Sequence, residues 1–329
     1  MTRFLLHGCG LLLALCLLAG CTTDEYARKL LERDTSWGKV NSAVMAAGAQ
    51  MEKDRDISAW RQYKAPSDKA DLDVWVMLAG SKPRAAVPVA GPRPVQARGT
   101  VLVIHGLEDS KVTYLKLARM LNDKGFDVVL ADLRAHGRSG GKFVTYGALE
   151  REDMKAVMDH VYQEKLVGEP LLVFGVAMGG SVAIQYAALD PRVQGVLALA
   201  PYRDMATACR RFVGRALVND EEFDKIVQRS GELGKFNPAA ASAVRAAMKL
   251  RCPLILSHGG LDPEVPTSDS EAIFAAAAGP KELDIVPFAS HIGLLFGREA
   301  QMVAAIEKLA TGRIGATSSP AAAPATMPR

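Results

Sequence analysis

The run Gly175-Val176-Ala177-Met178-Gly179-Gly180 decides how this chain is read. Ahead of it, Pro170 to Val176 (PLLVFGV) is a short, continuous apolar stretch, the pattern of a strand covered on both faces of a parallel sheet. Behind it, Val182, Ala183, Tyr186, Ala187 and Leu189 recur at helical spacing until Asp190-Pro191 stops them. Strand, glycine turn and helix predict a sharp corner with Ala177 at its apex. The flanking glycines let backbone and helix approach closely. In the pattern G-x-S-x-G that apex is a serine on a strained turn. Here it is alanine.

Four further segments fall in order around the corner. Thr100 to Ile104 predicts a buried strand that ends in His105-Gly106-Leu107-Glu108. Asp127 to Asp132 predicts another, running into His136-Gly137-Arg138-Ser139. Pro253 to His258 leads through Gly259-Gly260-Leu261 to Asp262, and Leu283 to Val286 leads through Phe288-Ala289-Ser290 to His291. Together with the corner, these segments resemble the α/β-hydrolase fold, in its lipase, serine-aminopeptidase and dienelactone-hydrolase-like branch, over about residues 70 to 311. The resemblance implies an α/β architecture: a mostly parallel central sheet, helices on both faces and a helical lid insertion. It also implies that Ala177 occupies the nucleophile position, Asp262 the acid and His291 the general base. The backbone N–H groups of Leu107 and Met178 match the oxyanion hole. The chain order of elbow, acid and histidine agrees with that pattern.

Only the reactive member of the triad departs from it. Removing the serine from such an enzyme costs about 10⁶-fold in turnover, or about 8 kcal/mol of transition-state stabilisation. Ordinary acyl-enzyme hydrolysis is therefore not expected. Other hydroxyls are poor substitutes. Ser181 lies one helical turn on, about 6 Å from the required place, and is expected to bond its own helix backbone. Ser110 and Ser290 read as turn residues. Asp204, after the Val196 to Ala200 strand, is the alternative acid, while His105 and His136 are expected to shape backbone turns near the site.

The amino terminus carries a separate message. Arg3 precedes an apolar run from Phe4 to Leu18, of signal-peptide length and short for a membrane span. The run ends in Leu18-Ala19-Gly20-Cys21, which resembles the bacterial lipobox. That resemblance implies cleavage after residue 20, lipidation of Cys21 and residence in the cell envelope. Thr22 in place of aspartate favours the outer membrane, facing the periplasm. Residues 21–69 are expected to form a lipid-anchored helical stalk, with Tyr26, Leu30, Leu31, Trp37, Val40, Val44 and Met45 as its apolar stripe. Residues 312–329 are rich in Ala, Pro, Ser and Thr and are expected to be disordered.

Composition excludes several classes. The net charge of +4 over 329 residues indicates neither a nucleic-acid partner nor an electrostatic membrane patch. No cluster has metal-ligand spacing and no glycine loop precedes a Lys-Ser/Thr pair, so neither metal nor cofactor is expected. Cys209 and Cys252 remain in the mature chain, either as a disulfide or as two buried thiols. The mainly helical segment of about 203–250 is the expected lid, over a pocket for a small-molecule or acyl ligand. In it Arg203, Arg210 and Arg211 are either solvated or placed for an acidic ligand. Three functions fit: a ligand-binding pseudoenzyme, an enzyme using Asp262 and His291 as a base without a serine, and an inactivated variant of a carboxylesterase or peptidase.

Overall fold

The computed structural model describes residues 22–32, 57–80, 96–213 and 218–314. Eight strands form one sheet: β1 Ala59–Lys64, β2 Asp71–Met77, β3 Thr100–Ile104, β4 Asp127–Ala131, β5 Leu171–Val176, β6 Val193–Leu199, β7 Leu254–Gly259 and β8 Lys281–Val286. Their spatial order is β1-β2-β4-β3-β5-β6-β7-β8. β1 pairs antiparallel with β2 and β2 antiparallel with β4; all other neighbours run parallel. Strands β3, β4 and β5 are buried at every residue. That is why they read as unbroken apolar runs and not as alternating ones.

Helices supply the two covering layers. α2 (Leu115–Asp123) and α10 (Glu299–Ala310) pack on one another, and α10 also covers β5 and β6. α3 (Glu150–Gln163) packs on α4 (Met178–Ala187); the former covers β1 and β2, the latter β3, β5 and β6. α8 (Thr267–Ala276) packs on β7 and β8, and the short α9 (His291–Leu295) on β7. Between β6 and β7 the chain is helical: α5 (Met205–Phe212), α6 (Asp220–Gly234), a 3₁₀ turn at Pro238–Ala240, and α7 (Ala243–Ala247). The Asp204–Ser242 bridge closes the base of this insertion.

One expectation fails. Within residues 21–69, expected to be a helical stalk, only α1 (Thr23–Leu31) is helical among the described residues, and Ala59–Lys64 is the edge strand β1. Its buried residues, Ala59 and Tyr63, lie an even number apart with half-exposed Arg61 between them, the period of a strand. α1 itself packs on the domain. Tyr26, Ala27, Leu30 and Leu31 are buried, the helix packs on α6, and Asp24 pairs with Arg229 at 2.6 Å. Residues 1–21, with the signal segment and Cys21, lie outside the described residues, as do 33–56 and 315–329.

Candidate active site

The corner between β5 and α4 is built as its sequence predicts. Ala177 sits at φ 50° and ψ −117°, a backbone conformation that costs any residue with a side chain. Two glycines make the corner possible. A methyl on Gly175 would stand 2.2 Å from the Gly179 carbonyl oxygen, and one on Gly179 would stand 2.3 Å from that of His105. The Ala177 N–H donates to the Leu199 carbonyl at 2.8 Å, which ties the corner to the end of β6.

The loop after β3 lies against this corner. A methyl on Gly106 would be 3.8 Å from the Ala177 Cβ. His105 fixes how the loop faces. Its Nε2 accepts the Leu133 N–H at 2.9 Å, so its Nδ1 carries the proton and donates to the Gly106 carbonyl at 2.7 Å. In a trans peptide the N–H points opposite to the carbonyl, so Leu107 N–H is turned away from His105. The Ala177 carbonyl is likewise held inside α4, by the Ser181 N–H at 3.1 Å, which frees the Met178 N–H at the helix start. Neither the Leu107 nor the Met178 N–H donates to any group among the described residues. His136 bonds the Arg134 and Leu107 carbonyls at 2.7 and 2.8 Å, so both histidines shape turns around the corner.

Asp262 and His291 meet. His291 Nδ1 and Asp262 Oδ2 are 2.6 Å apart, leaving Nε2 as the working face of the ring. The other carboxylate oxygen accepts the N–H groups of Glu264 and Val265 at 2.8 and 2.9 Å. Burial alone would raise the Asp262 pKa, but hydrogen bonds from His258 and His291 outweigh it and hold the carboxyl well below its ordinary range. For His291, burial pulls the pKa down; the Asp262 hydrogen bond and charge, with Glu264 and Asp109, carry it above its ordinary value.

Several contributors were not read from the sequence. His258 stands 3.5 Å from Asp262 Oδ2, donates to the Val265 carbonyl at 2.8 Å and bonds Ser270 at 2.7 Å. It lies four residues before Asp262, and that spacing was its only sequence signal. Glu264 reaches within 3.9 Å of His291 Nε2. Asp109 accepts the Tyr114 hydroxyl at 2.8 Å beside Gly106.

Ser181, Ser290 and Asp204 have structural partners, whereas the buried Ser110 Oγ has no hydrogen-bond partner among the described residues. Ser181 Oγ donates to the Tyr202 carbonyl at 2.7 Å, Ser290 caps α9 by accepting the Gly293 N–H, and Ser110 is fully buried. Asp204 caps α5 through the Thr207 N–H at 2.8 Å and does not reach His291 by any hydrogen bond or ion pair among the described residues. Each lid arginine has a carboxylate partner, but Arg210 Nε and Nη1 and Arg211 Nη1 are buried with no hydrogen-bond partner among the described residues. Arg203 and Arg211 both pair with the buried Asp269 on α8, while Arg210 pairs with Asp220 and the Val218 carbonyl. Cys209 and Cys252 are free thiols, and burial pushes both pKa values up to about 12. Among the described residues no His, Cys, Asp and Glu group is placed to hold a metal ion.

Comparison with known proteins agrees with this architecture. Residues 95–219 match the serine aminopeptidase, S33, family model, a span that includes the Leu107 loop and the Ala177 corner but ends before Asp262 and His291. The protein YfhR of Salmonella typhimurium is 27% identical over 224 residues, 66% of this chain and 72% of that one. The monoacylglycerol lipase of Mycolicibacterium smegmatis is 32% identical over 96 residues, 29% of this chain and 34% of that one. The esterase Pf2001 of Pyrococcus furiosus superposes with a TM-score of 0.58 at 22% identity, covering 80% of this chain and 94% of the esterase. Sheet order, corner geometry and these likenesses converge on the architecture: the chain has the α/β-hydrolase fold, and its residues 95–219 match the serine aminopeptidase, S33, family model.

Proposed function

We propose that this chain is a lipid-anchored envelope protein of the α/β-hydrolase superfamily that binds a small acyl or carbonyl ligand and is impaired in hydrolysis. The carrying observation is Ala177 at φ 50°, a complete elbow with no hydroxyl to attack. The unbonded N–H groups of Leu107 and Met178 beside the corner support binding of a carbonyl oxygen. Anchoring rests on the Leu18-Ala19-Gly20-Cys21 motif. In no described residue is there a helix long and apolar enough to cross a membrane.

The experiment compares the native chain with Ala177→Ser on short and long acyl esters and with a serine-reactive fluorophosphonate. The revertant is expected to label and to outpace the native chain by several orders of magnitude, toward the roughly 10⁶-fold that a nucleophilic serine contributes. Comparable ester turnover by the native chain would mean that another nucleophile is at work, and the binding reading falls.

A second reading has its own support. The 2.6 Å bond between His291 and Asp262 keeps a general base in working tautomer, although hydrolysis through a serine no longer needs one. A ligand with an acidic C–H beside a carbonyl would lose its proton to His291 Nε2, and the resulting oxyanion would accept from Leu107 and Met178 N–H. Such an activity rises with pH as His291 becomes neutral, is abolished in His291→Ala, and is indifferent to fluorophosphonate. A third reading is that Ala177 marks an inactivated variant of a carboxylesterase or peptidase; the same revertant tests it, since full esterase activity would return with one substitution.

A further inference from the structure

Four large apolar side chains stand in solvent at one end of the sheet. Leu261 follows β7, Phe288 follows β8, and Ile292 and Phe296 lie four residues apart, on α9 and at its end. Phe288 is 89% exposed, the highest value among the exposed large apolar residues described. The loops that carry them are bonded to each other. Gly260 N–H donates to the Val286 carbonyl at 2.7 Å and Leu261 N–H to the Ala289 carbonyl at 3.0 Å. Backbone bonding therefore gathers these residues on one rim, beside His291.

Residues 81–95 leave from beside Ala79, whose N–H is held by Asp127 at the start of β4. Residues 315–329 follow α10, whose Glu307 pairs with Arg98 just ahead of β3. Both tethers lie at the amino ends of the parallel strands, the end opposite to the rim.

The amino terminus is different. The far end of α1 is bonded to the connection that follows the carboxyl end of β4: Val144 N–H donates to the Leu31 carbonyl and the Tyr146 hydroxyl to that of Leu30. Thr22 and Glu25 form a reciprocal cap at the near end, and Cys21 is the residue before it. No flexible tether thus separates Cys21 from a helix packed on the domain, and a lipid there would hold the body directly at a bilayer. An apolar, partly aromatic rim suits the boundary between headgroups and acyl chains.

We propose that the rim of Leu261, Phe288, Ile292 and Phe296 is a docking surface for a lipid bilayer, opening the His291 site toward the membrane. The orienting role of Cys21 rests on the lipidation reading given above; the rim itself does not.

The test uses the full chain with its native amino terminus, reconstituted into vesicles of phosphatidylethanolamine and phosphatidylglycerol with brominated acyl chains. Phe288→Trp reports on the rim, and Leu189→Trp, exposed at the turn between α4 and β6, is the control at the other end of the sheet. The emission that Phe288→Trp adds is expected to fall by about half relative to unbrominated vesicles, with the control unchanged. Equal emission from Phe288→Trp in both vesicles overturns the proposal. Burial of that tryptophan without bromine quenching, together with a doubled mass in solution, assigns the rim to a second copy and overturns it too. The mass of the amino-terminal peptide decides the lipid separately. A lipidated Cys21 with unquenched Phe288→Trp sinks the rim and leaves the anchor, whereas an unmodified Cys21 with quenching does the reverse.

Discussion

Asp262 holds His291 by a charge-assisted bond, and the two shifts have opposite consequences with pH. The His291 pKa is raised on folding, so its contribution to stability is complete below the ordinary value of 6.5 and is lost as pH climbs through the folded value. The Asp262 pKa is depressed, so its contribution is present above the ordinary 3.8 and is lost as pH falls through the folded value. Both are in force between these two ordinary values. Asp262→Asn is therefore expected to destabilise the chain most within that window and progressively less toward alkaline pH, as read from urea midpoints at each pH. In the same variant, the His291 ring followed by NMR should titrate at lower pH than in the native chain. A His291 titration that ignores Asp262→Asn would mean that the bond does not set the ring's basicity.

At the scale of elements, two buried charge clusters hold the site's supports in place. Lys111, 1% exposed, bonds Asp73 on β2 and Asp132 at the end of β4, and its ammonium lies 4.7 Å from the Trp75 ring centre. Lys111→Met leaves two carboxylates facing each other in the interior and is expected to cost about 3–5 kcal/mol in chemical denaturation. A loss under about 1 kcal/mol would show that the carboxylates neutralise or hydrate freely. Asp269 acts on the insertion, drawing Arg203 and Arg211 down onto α8. Asp269→Asn removes the charge both guanidinium groups answer. Amide exchange over Met205–Phe212 should speed up about tenfold, with the strands unaffected. Unchanged exchange in α5 would show that packing alone holds it.

At the scale of the molecule, the amino-terminal helix is packed into the domain and not apart from it. Leu31 is fully buried where α1 meets the connection after β4. Leu31→Ala is expected to cost about 2–5 kcal/mol, with near- and far-ultraviolet circular dichroism still falling in one transition. Separate transitions would make α1 an appendage after all. The core and corner were legible because β3, β5 and β7 are apolar runs with glycine-bearing exits, and because Asp262 and His291 directly follow strands. β1 was not, since half of an edge strand faces solvent and Arg61, Gln62 and Lys64 leave only Ala59 and Tyr63 as signal. The partners of the lid arginines were hidden for another reason. Asp269 lies 58 residues beyond Arg211, and no local pattern announces a pairing of that range. Glu264 and Asp109 were likewise invisible, because their effect on His291 exists only once three loops have been brought together.

The corner at Ala177 keeps a backbone shape that a methyl group does not require. Shape and reactive atom are thus separable in inheritance. An alanine codon becomes a serine codon by exchange of one base, and the glycines that shape the corner, the unbonded N–H donors and the hydrogen-bonded Asp262–His291 pair are present without it. A one-base change at this codon would thus place a hydroxyl on a backbone that already has the shape to carry it.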